Sequence, residues 1–455
     1  MKIKEFDVVI VGGGTAGASL AVNLSMKSQL KVVLLDRTTR DLIGGKKSCG
    51  DIFFGQWQED HYLTPREDER YTTWKDHKII IVADEIQAKS PFEDGLMVDR
   101  LKYTQRLLND AEKRGVKIIG NRRVIRPIIE KDFIVGVIAI NQQTKEKEIY
   151  RGGVVADTSG CAHVVRRNIP DDLFPNLEKR ISYMVDGYRE FIKAEHNLEN
   201  HLYMCTPDYL PIGSFYWIMG RGKGYINTGI YLRNNEGMKK KKKIADIVRN
   251  ILHEKFYAED QYELIDARGS PIPSVIPMTN IVANGFVTFG DAGTQPSPLV
   301  GDGIRQSLFT GESISELIIN AFEKGDLSEK GLWNANKLVQ QNTIKNLVAY
   351  LKLEAFREFG TTGLKTMLKR VPEVLGSFFI NKDLSFFEQL SAAAKLRGTG
   401  LIKALLKIRK HTKTLNKIFS KYPDTPEKYP EWKEAFFDLL DSIGVLPEEK
   451  ALLTP

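Results

Sequence analysis

A glycine motif close to the N-terminus constrains the fold more than any other feature of the sequence. Residues 6–11 (FDVVIV) form a short apolar run rich in β-branched residues, which predicts a strand buried on both faces. Residues 12–17 (GGGTAG) match the pattern GxGxxG, and residues 18–26 predict a helix. A second apolar run, 31–35, ends at Asp36. This order of strand, glycines, helix, strand and acid predicts a βαβ unit that binds a dinucleotide.

Each motif residue has a physical task in such a unit. Gly12 allows the tight turn, Gly14 lets the backbone approach a pyrophosphate, and Gly17 lets the helix pack closely on the strand. The pyrophosphate lies at the positive N-terminus of the helix, and Asp36 accepts hydrogen bonds from ribose hydroxyls, which favours FAD or NAD over NADP. The candidate cofactor-binding residues here are Gly12, Gly14, Ala16, Gly17, Asp36 and Arg37.

A second segment favours FAD over NAD. Residues 285–293 (GFVTFGDAG) predict a buried strand that ends in Gly-Asp-Ala-Gly, and a helix is predicted from about residue 304 to 321. This pattern resembles the second FAD fingerprint of the p-hydroxybenzoate hydroxylase-like flavoproteins. In that family the Asp binds ribityl hydroxyls, and the loop and helix start approach the pyrophosphate and the isoalloxazine ring. The resemblance implies these roles for Asp291, Gly303 and Ile304.

Weaker marks of the same family lie between the two fingerprints. Arg100 precedes a helix predicted over 103–114 and resembles the family's Arg on a cofactor-covering helix, which implies a cofactor contact. By the same resemblance, Val124 meets the adenine through its backbone, and residues 155–160 (VADTSG) correspond to a strand ending in Ala-Thr-Gly. Because GxGxxG occurs once in this context, we expect an external electron donor, either a ferredoxin-like protein or NAD(P)H.

The loop at residues 44–51 (GGKKSCGD) suggests a narrower family. It resembles the Lys-Pro-Cys-Gly-Asp loop of the archaeal geranylgeranyl (digeranylgeranylglycerophospholipid) reductases, with Ser48 in place of Pro. These flavoenzymes saturate the isoprenoid chains of membrane lipids. The resemblance implies that Cys49, Gly50 and Asp51 lie beside the flavin. A thiol with an ordinary pKa of about 8.5 is mostly protonated near neutrality, so Cys49 can donate a proton to the substrate; a packing contact with the flavin is the alternative.

The middle of the chain predicts a substrate-binding sheet. Residues 180–188 and 225–232 alternate between apolar and polar side chains, as in a half-buried antiparallel sheet. Residues 214–220 (SFYWIMG) resemble the aromatic Tyr-x-Trp-x-Phe-Pro motif that shapes the lipid pocket in the reductase family, although Met219 and Gly220 replace Phe and Pro. The resemblance implies a pocket lined by Phe215, Tyr216 and Trp217. The alternative is that these aromatic residues belong to the hydrophobic core.

The basic charge is concentrated in the C-terminal part, where helical spacing replaces strand patterns from residue 332 onward. The chain carries 66 Lys and Arg against 58 Asp and Glu, a net charge of +8, and residues 395–421 alone hold nine basic residues and no acid. A basic amphipathic helix, predicted over 401–422, is typical of proteins that bind a membrane surface; a solvated outer face is the alternative. Nucleic acid is not an expected partner, because no recognition motif accompanies the charge.

Three scattered cysteines, Cys49, Cys161 and Cys205, form no CxxC pair, so a disulfide framework, a zinc ribbon and a Cys-ligated iron–sulfur cluster are not expected. Together these features predict an α/β protein in three parts. Residues 1–164 plus 280–330 form a Rossmann-like FAD-binding domain, 165–279 an inserted antiparallel-sheet substrate domain, and 331–455 a helical domain.

The resemblance implies an FAD-dependent reductase that saturates the C=C bonds of geranylgeranyl chains in archaeal membrane lipids or related prenyl compounds. An FAD-dependent monooxygenase or halogenase of the same fold is the alternative. We expect the protein in the cytoplasm, at the inner face of the membrane, with an isoprenoid lipid as its substrate.

Overall fold

The computed structural model describes residues 3–45, 49–54, 57–73, 78–83, 86–91, 95–170, 172–178, 185–196, 198, 201–233, 244–371, 391–392, 394–399 and 401–442. The strands are β1 (Ile3–Glu5), β2 (Val8–Val11), β3 (Val32–Leu35), β4 (Ile52–Phe54), β5 (Arg70–Thr73), β6 (Lys78–Ala83), β7 (Ile86–Pro91), β8 (Gly95–Val98), β9 (Lys117–Ile119), β10 (Arg122–Glu130), β11 (Phe133–Asn141), β12 (Lys147–Arg151), β13 (Val154–Asp157), β14 (Val185–Ala194), β15 (Leu202–Cys205), β16 (Phe215–Gly222), β17 (Tyr225–Leu232), β18 (Tyr262–Ile272), β19 (Val282–Ala283) and β20 (Phe286–Thr288). The helices are α1 (Thr15–Lys27), α2 (Arg100–Lys113), α3 (Ile244–Lys255), α4 (Ile304–Lys324), α5 (Glu329–Leu332), α6 (Asn334–Arg370), α7 (Leu401–Phe419) and α8 (Tyr429–Ser442).

The N-terminal motif lies on a six-stranded sheet with the order β19-β20-β13-β2-β3-β9. Its inner strands pair in parallel, and β2, β3 and β13 are buried along their whole length, as expected for strands covered on both faces. The predicted βαβ unit is confirmed as β2, α1 and β3. Helix α4, which follows the second glycine segment, packs against α1. The carboxyl ends of β2, β13 and β20 therefore meet at one edge, where ligands bind in open α/β sheets.

The second large sheet has seven strands in the order β18-β14-β17-β16-β15-β6-β7. Five of these strands come from the segment predicted as the substrate domain. Strands β6 and β7 come from residues 78–91, which the sequence placed in the FAD-binding part, so this assignment was wrong. Strand β6 joins the sheet by parallel pairing with β15, more than a hundred residues away, and local patterns carry no signal for such a pairing. The predicted stretch 180–188 is described only from residue 185 onward.

The other described strands form two smaller sheets. One has four strands in the order β1-β12-β11-β10, and the other has three in the order β4-β8-β5. In the three-stranded sheet, β4 follows the Cys49 loop directly and pairs with β8, which leads into α2. A backbone hydrogen bond of 3.0 Å from the Val98 N–H to the Asp51 carbonyl continues this pairing. The Cys49 loop is therefore fixed beside Arg100, the first residue of α2.

The C-terminal part is helical in the described residues. Helix α6 bends at Gly360, whose φ of 62° lies in the left-handed region, and it packs against α4 and α7. An aromatic cluster joins these helices to the first sheet; in it the Trp333 indole donates to the Pro423 carbonyl and the Tyr422 hydroxyl to the Thr279 carbonyl. Helix α7 confirms the helix predicted over 401–422. No helix in the described part of the chain is long and apolar enough to span a bilayer.

Candidate active site

The glycine motif forms a cradle in which side chains have no room. Gly12 has a φ of +102°, and a Cβ atom built on it would lie 2.5 Å from the Thr158 carbonyl oxygen. A Cβ on Gly17 would lie 2.0 Å from the Gly12 oxygen. Helix α1 begins after Gly14 with no side chain capping its first turn, so the N–H groups around Ala16 stay available to an anion.

Asp36 fixes the motif turn from the end of β3. Its carboxylate accepts the Gly13 N–H at 2.8 Å and the Thr38 N–H at 2.7 Å. Its carbonyl accepts the Arg122 N–H at 2.7 Å. This bond brings the first residues of β10, including Val124, to the same edge of the six-stranded sheet. Arg37 is exposed beside it. The predicted ribose and adenine contacts of these residues stay predictions, but the structure brings the residues together.

The second glycine segment approaches the same edge from the other side. Asp291 lies in a tight turn after β20, and Gly303 precedes α4, where the Asp302 carboxylate lies against the Gly303 and Ile304 N–H groups. A Cβ on Gly290 would lie 3.0 Å from the Ala16 Cβ atom, so the turn packs directly against α1. The N-termini of two helices, α1 and α4, therefore flank one edge of the sheet, and that of α1 has no side-chain cap.

The residues at this edge fit a dinucleotide cofactor. Besides the glycine cradle, the evidence is Arg100, whose Nε atom is buried and has no hydrogen-bond partner in the described structure. The Arg100 guanidinium interacts with the Cys49 thiol and faces the carboxylates of Asp51 and Asp291. A buried donor without a partner is costly in a folded protein, and a cofactor oxygen would remove that cost.

The Cys49 loop is held by a buried amide that the sequence did not single out. The Asn227 Nδ2 atom donates to the Cys49 carbonyl at 3.0 Å, and its Oδ1 atom accepts from the Trp217 indole N–H at 3.0 Å. Because an indole can only donate and a carbonyl can only accept, this orientation of the amide is fixed. Asn227 is fully buried in β17. The sequence signal that could have identified Asn227 is a polar residue among the apolar positions of 225–232.

Asp51 has a φ of +59°, uncommon for a non-glycine residue, and is 7 % exposed. Its Oδ2 atom lies 3.7 Å from an Arg221 guanidinium nitrogen and accepts the Asn227 N–H at 3.4 Å. Burial raises the pKa of the Asp51 carboxyl, and the nearby guanidinium groups, Arg221 first, oppose that rise. Burial likewise raises the pKa of the Cys49 thiol, with Arg100 the largest opposing influence. Cys49 is therefore protonated at neutral pH.

A cavity of about 340 Å³ adjoins Cys49 and Gly50 and has two chemically different parts. One part is apolar and is lined by Ile52, Phe54, Leu202, Met204, Phe215, Trp217, Met219, Tyr231, Ile272 and Val300. The other is polar and is lined by Ser297, Asp302, Arg305, Gln306, Asn342, Lys345 and Asn346. Gly301 and Ile304, at the start of α4, also line it, so the cavity extends from the second glycine segment to the aromatic strand β16.

The prediction that Tyr216 lines this pocket was wrong. Side chains of a strand alternate between its two faces, so Phe215, Trp217 and Met219 face the cavity while Tyr216 points away. Tyr216 is fully buried on the other face, where it contacts the Thr228 hydroxyl and the Phe256 ring. Phe215 and Trp217 do line the cavity, and their contact with a substrate stays a prediction. Met219 joins them, and a Cβ on Gly50 would lie 3.2 Å from its methyl group.

Comparison with known families and curated proteins agrees with this geometry. Residues 7–168 match the FAD dependent oxidoreductase family. The chain is 26 % identical to the digeranylgeranylglycerophospholipid reductase of Sulfolobus acidocaldarius, over 98 % of this chain and 99 % of the relative. It is 27 % identical to the reductase of the same name from Methanosarcina acetivorans, over 71 % of this chain and 77 % of that protein.

Solved structures share the fold at low sequence identity. A geranylgeranyl bacteriochlorophyll reductase-like protein from Thermoplasma acidophilum superposes with a TM-score of 0.74, at 17 % identity, over 89 % of this chain and all of that one. A flavin-dependent brominase superposes with a TM-score of 0.62, at 15 % identity, over 91 % of this chain and all of the other. The fold is thus an α/β FAD-binding architecture with an added antiparallel sheet and helices. The chain is therefore similar over nearly its whole length to digeranylgeranylglycerophospholipid reductases, and its N-terminal third matches the FAD dependent oxidoreductase family.

Proposed function

We propose that this protein reduces the C=C bonds of geranylgeranyl chains in archaeal membrane lipids or related prenyl compounds. The observation that carries the proposal is the apolar part of the cavity, which places Cys49 and the start of α4 against the same space. Bound FAD, in its reduced form, supplies the hydride for such a reaction. The substrates named for the relatives have the same chemistry.

The apolar wall must position the substrate, because a polarising group cannot activate it. An isolated alkene has no carbonyl oxygen that a hydrogen-bond donor could polarise. The protein must instead hold the double bond in position and exclude water. Phe215 stacks on Tyr231 with ring centroids 5.1 Å apart, and the Trp217 indole is fixed by its bond to Asn227. This rigid wall positions an apolar chain.

Cys49 is the candidate proton donor. It lines the cavity, and its raised pKa keeps the thiol protonated at neutral pH. The Arg100 guanidinium lies against the sulfur and stabilises the thiolate that remains after the proton has left. A proton on the second alkene carbon completes the saturation that hydride transfer begins.

Substitution of Cys49 tests this role. We expect Cys49→Ala to retain FAD but to lose at least about a hundredfold in the rate of lipid reduction, as is typical for the loss of a general acid. The enzyme is reduced chemically, incubated with a geranylgeranyl lipid, and the product is weighed by mass spectrometry for two added hydrogens per double bond. Cys205→Ala is the control, because Cys205 is buried in the core of the other sheet face. Unchanged reduction by Cys49→Ala would assign Cys49 to packing.

The same experiment separates the alternative function. The brominase shares the fold, so an oxygen-inserting or halogenating flavoenzyme is the second candidate. Addition of an oxygen or halogen atom to the lipid would support that candidate, and an unchanged mass would support lipid binding alone.

We also propose that the protein binds the cytoplasmic face of the membrane through α7. This helix buries Ala404, Leu415 and Phe419. Its exposed residues include Leu406 and the cations Lys403, Lys407, Arg409, Lys410, Lys413 and Lys417. Each such cation near an anionic leaflet contributes about 1 kcal/mol, so the helix would hold the protein where its lipid substrate is found.

Vesicle binding tests the membrane proposal. We expect co-sedimentation with vesicles that contain an anionic lipid, weakening as salt is raised, and little with neutral vesicles. Lys407→Glu combined with Lys410→Glu should reduce it strongly. Lys324→Glu, a charge reversal at the end of α4, is the control. Equal binding to neutral vesicles would contradict the proposal.

The electron donor is proposed to be external, as a ferredoxin-like protein or NAD(P)H, because the sequence holds one dinucleotide motif. Turnover with each donor, compared with turnover after chemical reduction, identifies it.

A further inference from the structure

Proton donation by Cys49 leaves a thiolate, which must regain a proton before it can serve the next double bond. The apolar part of the cavity excludes water once a prenyl chain fills it, so solvent cannot return the proton from that side. Cys49, Gly50 and Ile52 line the described cavity, whereas Asp51 between them does not. The proton must therefore reach Cys49 through the protein, and Asp51 is the neighbouring residue that can carry one.

Asp51 and Cys49 are joined in one tight turn. The Asp51 N–H donates to the Cys49 sulfur at 3.3 Å. The Arg100 guanidinium acts on both the thiol and the Asp51 carboxyl, so the ionisation of one group affects the other. An Asp carboxyl is ordinarily a much stronger acid than a Cys thiol, so a protonated Asp51 would give its proton to a thiolate beside it.

Three guanidinium groups face the Asp51 carboxylate, and we call them the arginine cluster: Arg100, Arg189 and Arg221. Arg221 lies 3.7 Å from the carboxylate, and its side chain is 8 % exposed. A guanidinium does not give up its proton, so the cluster contributes charge rather than a relay step. It opposes the rise that burial causes in the pKa of Asp51, while Asp99, the N-cap residue of α2, adds to that rise. The carboxyl can therefore release a proton as well as accept one.

Tyr71 on β5 marks where the arginine cluster reaches solvent. Its ring centroid lies 3.5 Å from the Arg221 guanidinium carbon, and Tyr71 is 38 % exposed. The Phe191 ring lies 4.1 Å from the same carbon. The Asp51 carboxylate is thus separated from the surface by one stacked side chain. A solvent proton has a short route to Asp51 beside Tyr71, and this route avoids the cavity.

We infer that Asp51 returns a proton to Cys49 after each reduction. In this step the O–H bond of the carboxyl breaks and the S–H bond of Cys49 forms, which leaves a thiol and a carboxylate. Solvent then protonates the carboxylate, and no electrons are transferred. The inference rests on the proposed function and adds to it a residue that acts between one double bond and the next.

The variant Asp51→Asn tests the inference, because Asn keeps the shape of the side chain and tolerates the left-handed region. The enzyme with FAD is mixed anaerobically with a geranylgeranyl lipid and with enough dithionite that flavin reduction does not limit the rate. We expect the first double bond per enzyme to be saturated at close to the wild-type rate, because Cys49 begins protonated. The later double bonds should follow about a hundredfold more slowly. Asp266→Asn is the matched control, since Asp266 pairs with Arg189 at 3.1 Å but lies on β18, outside the turn.

A fast first step in Asp51→Asn followed by slow ones, with no such change of rate in the wild type or in Asp266→Asn, supports the inference. Equal slowing of the first and the later double bonds, an unchanged rate for the later ones, or the same pattern in Asp266→Asn would overturn it.

Alkylation of Cys49 by iodoacetamide at a series of pH values needs no turnover. Loss of the Asp51 charge should lower the pKa of the thiol and raise the alkylation rate at pH 7 by about threefold or more. An unchanged titration would overturn the inference. A wild-type enzyme that reduced no lipid would contradict the proposed function, and the titration would still decide whether the Asp51 carboxylate acts on Cys49.

Discussion

At the scale of single residues, the site depends on a few buried polar atoms with fixed partners. Asn227 is the clearest case, because its amide joins the Cys49 loop to the Trp217 wall through two bonds of 3.0 Å. The Asp51 residue of this loop is in the left-handed region, which costs about 1 kcal/mol or more unless the surroundings impose it. Asn227 is therefore a positioning residue for Cys49.

The variant Asn227→Asp tests this positioning through pH. An ionised carboxylate accepts from Trp217 but has no N–H for the Cys49 carbonyl, and it lies close to Asp51. We expect lipid reduction to fall by about tenfold at neutral pH, equivalent to about 1.4 kcal/mol, and to recover as acidification protonates the new carboxyl and restores a donor. The measurement is the pH dependence of kcat and KM with chemically reduced flavin.

Thr228→Val is the control for that experiment, since Thr228 is equally buried in β17 but its hydroxyl bonds the Tyr216 hydroxyl on the opposite face. If the kcat of Asn227→Asp were lowered by the same factor at every pH, Asn227 would contribute to general stability rather than to the positioning of Cys49.

Single residues of the site also differ in whether a pattern in the sequence can identify them. The glycine motif, Asp36 and Cys49 were identified because each belongs to a short contiguous pattern. Asn227 was not, because its partners are 178 and 10 positions away and only the fold brings them together. Tyr216 was misassigned because a motif names neighbours along the chain, whereas a strand separates them onto two faces.

At the scale of secondary-structure elements, the contact between α1 and the strands it covers controls whether a cofactor can bind. Gly17 lies where α1 crosses the Gly12 turn, and a Cβ there would be 2.0 Å from a backbone oxygen. Backbone cannot move aside as the end of a flexible side chain can. The helix N-terminus would have to shift away from its position over the sheet edge.

We therefore expect Gly17→Ala to purify without FAD, or with a small fraction of it, and to be destabilised by about 1–3 kcal/mol. Flavin absorbance per protein and the free energy of unfolding measure the two effects. Gly269→Ala on β18 is the control, because a Cβ there meets its nearest atom at 3.6 Å, an ordinary contact. Full FAD content in Gly17→Ala would contradict the assignment of this edge to the cofactor.

Elements that form from local patterns were predicted, and pairings between distant elements were not. The strands β2 and β3 and the helices α1, α4 and α7 follow from apolar runs and helical spacing. The recruitment of β6 and β7 into the second sheet was missed, since the parallel partner of β6 is β15. This pairing also matters for function, because β15 contributes Leu202 and Met204 to the cavity wall.

At the scale of the whole molecule, the basic charge is concentrated on one helix. The sequence located the basic excess in residues 395–421, and the structure shows six of these cations exposed on α7. Arg305 and Lys345, both exposed, line the polar part of the cavity whose apolar part adjoins Cys49. The sequence could not place Arg305 and Lys345 at one cavity, because they are forty positions apart and only the packing of α6 on α4 brings their helices together.

We propose that the alkene of a prenyl lipid, rather than oxygen, takes the electrons of the reduced flavin. Anaerobic mixing of the chemically reduced enzyme with a geranylgeranyl lipid tests it directly, with flavin absorbance followed in time. We expect the oxidised flavin spectrum to return without oxygen, in proportion to the number of double bonds saturated. A flavin that stays reduced until oxygen is admitted would contradict electron transfer to the alkene and favour a monooxygenase or halogenase.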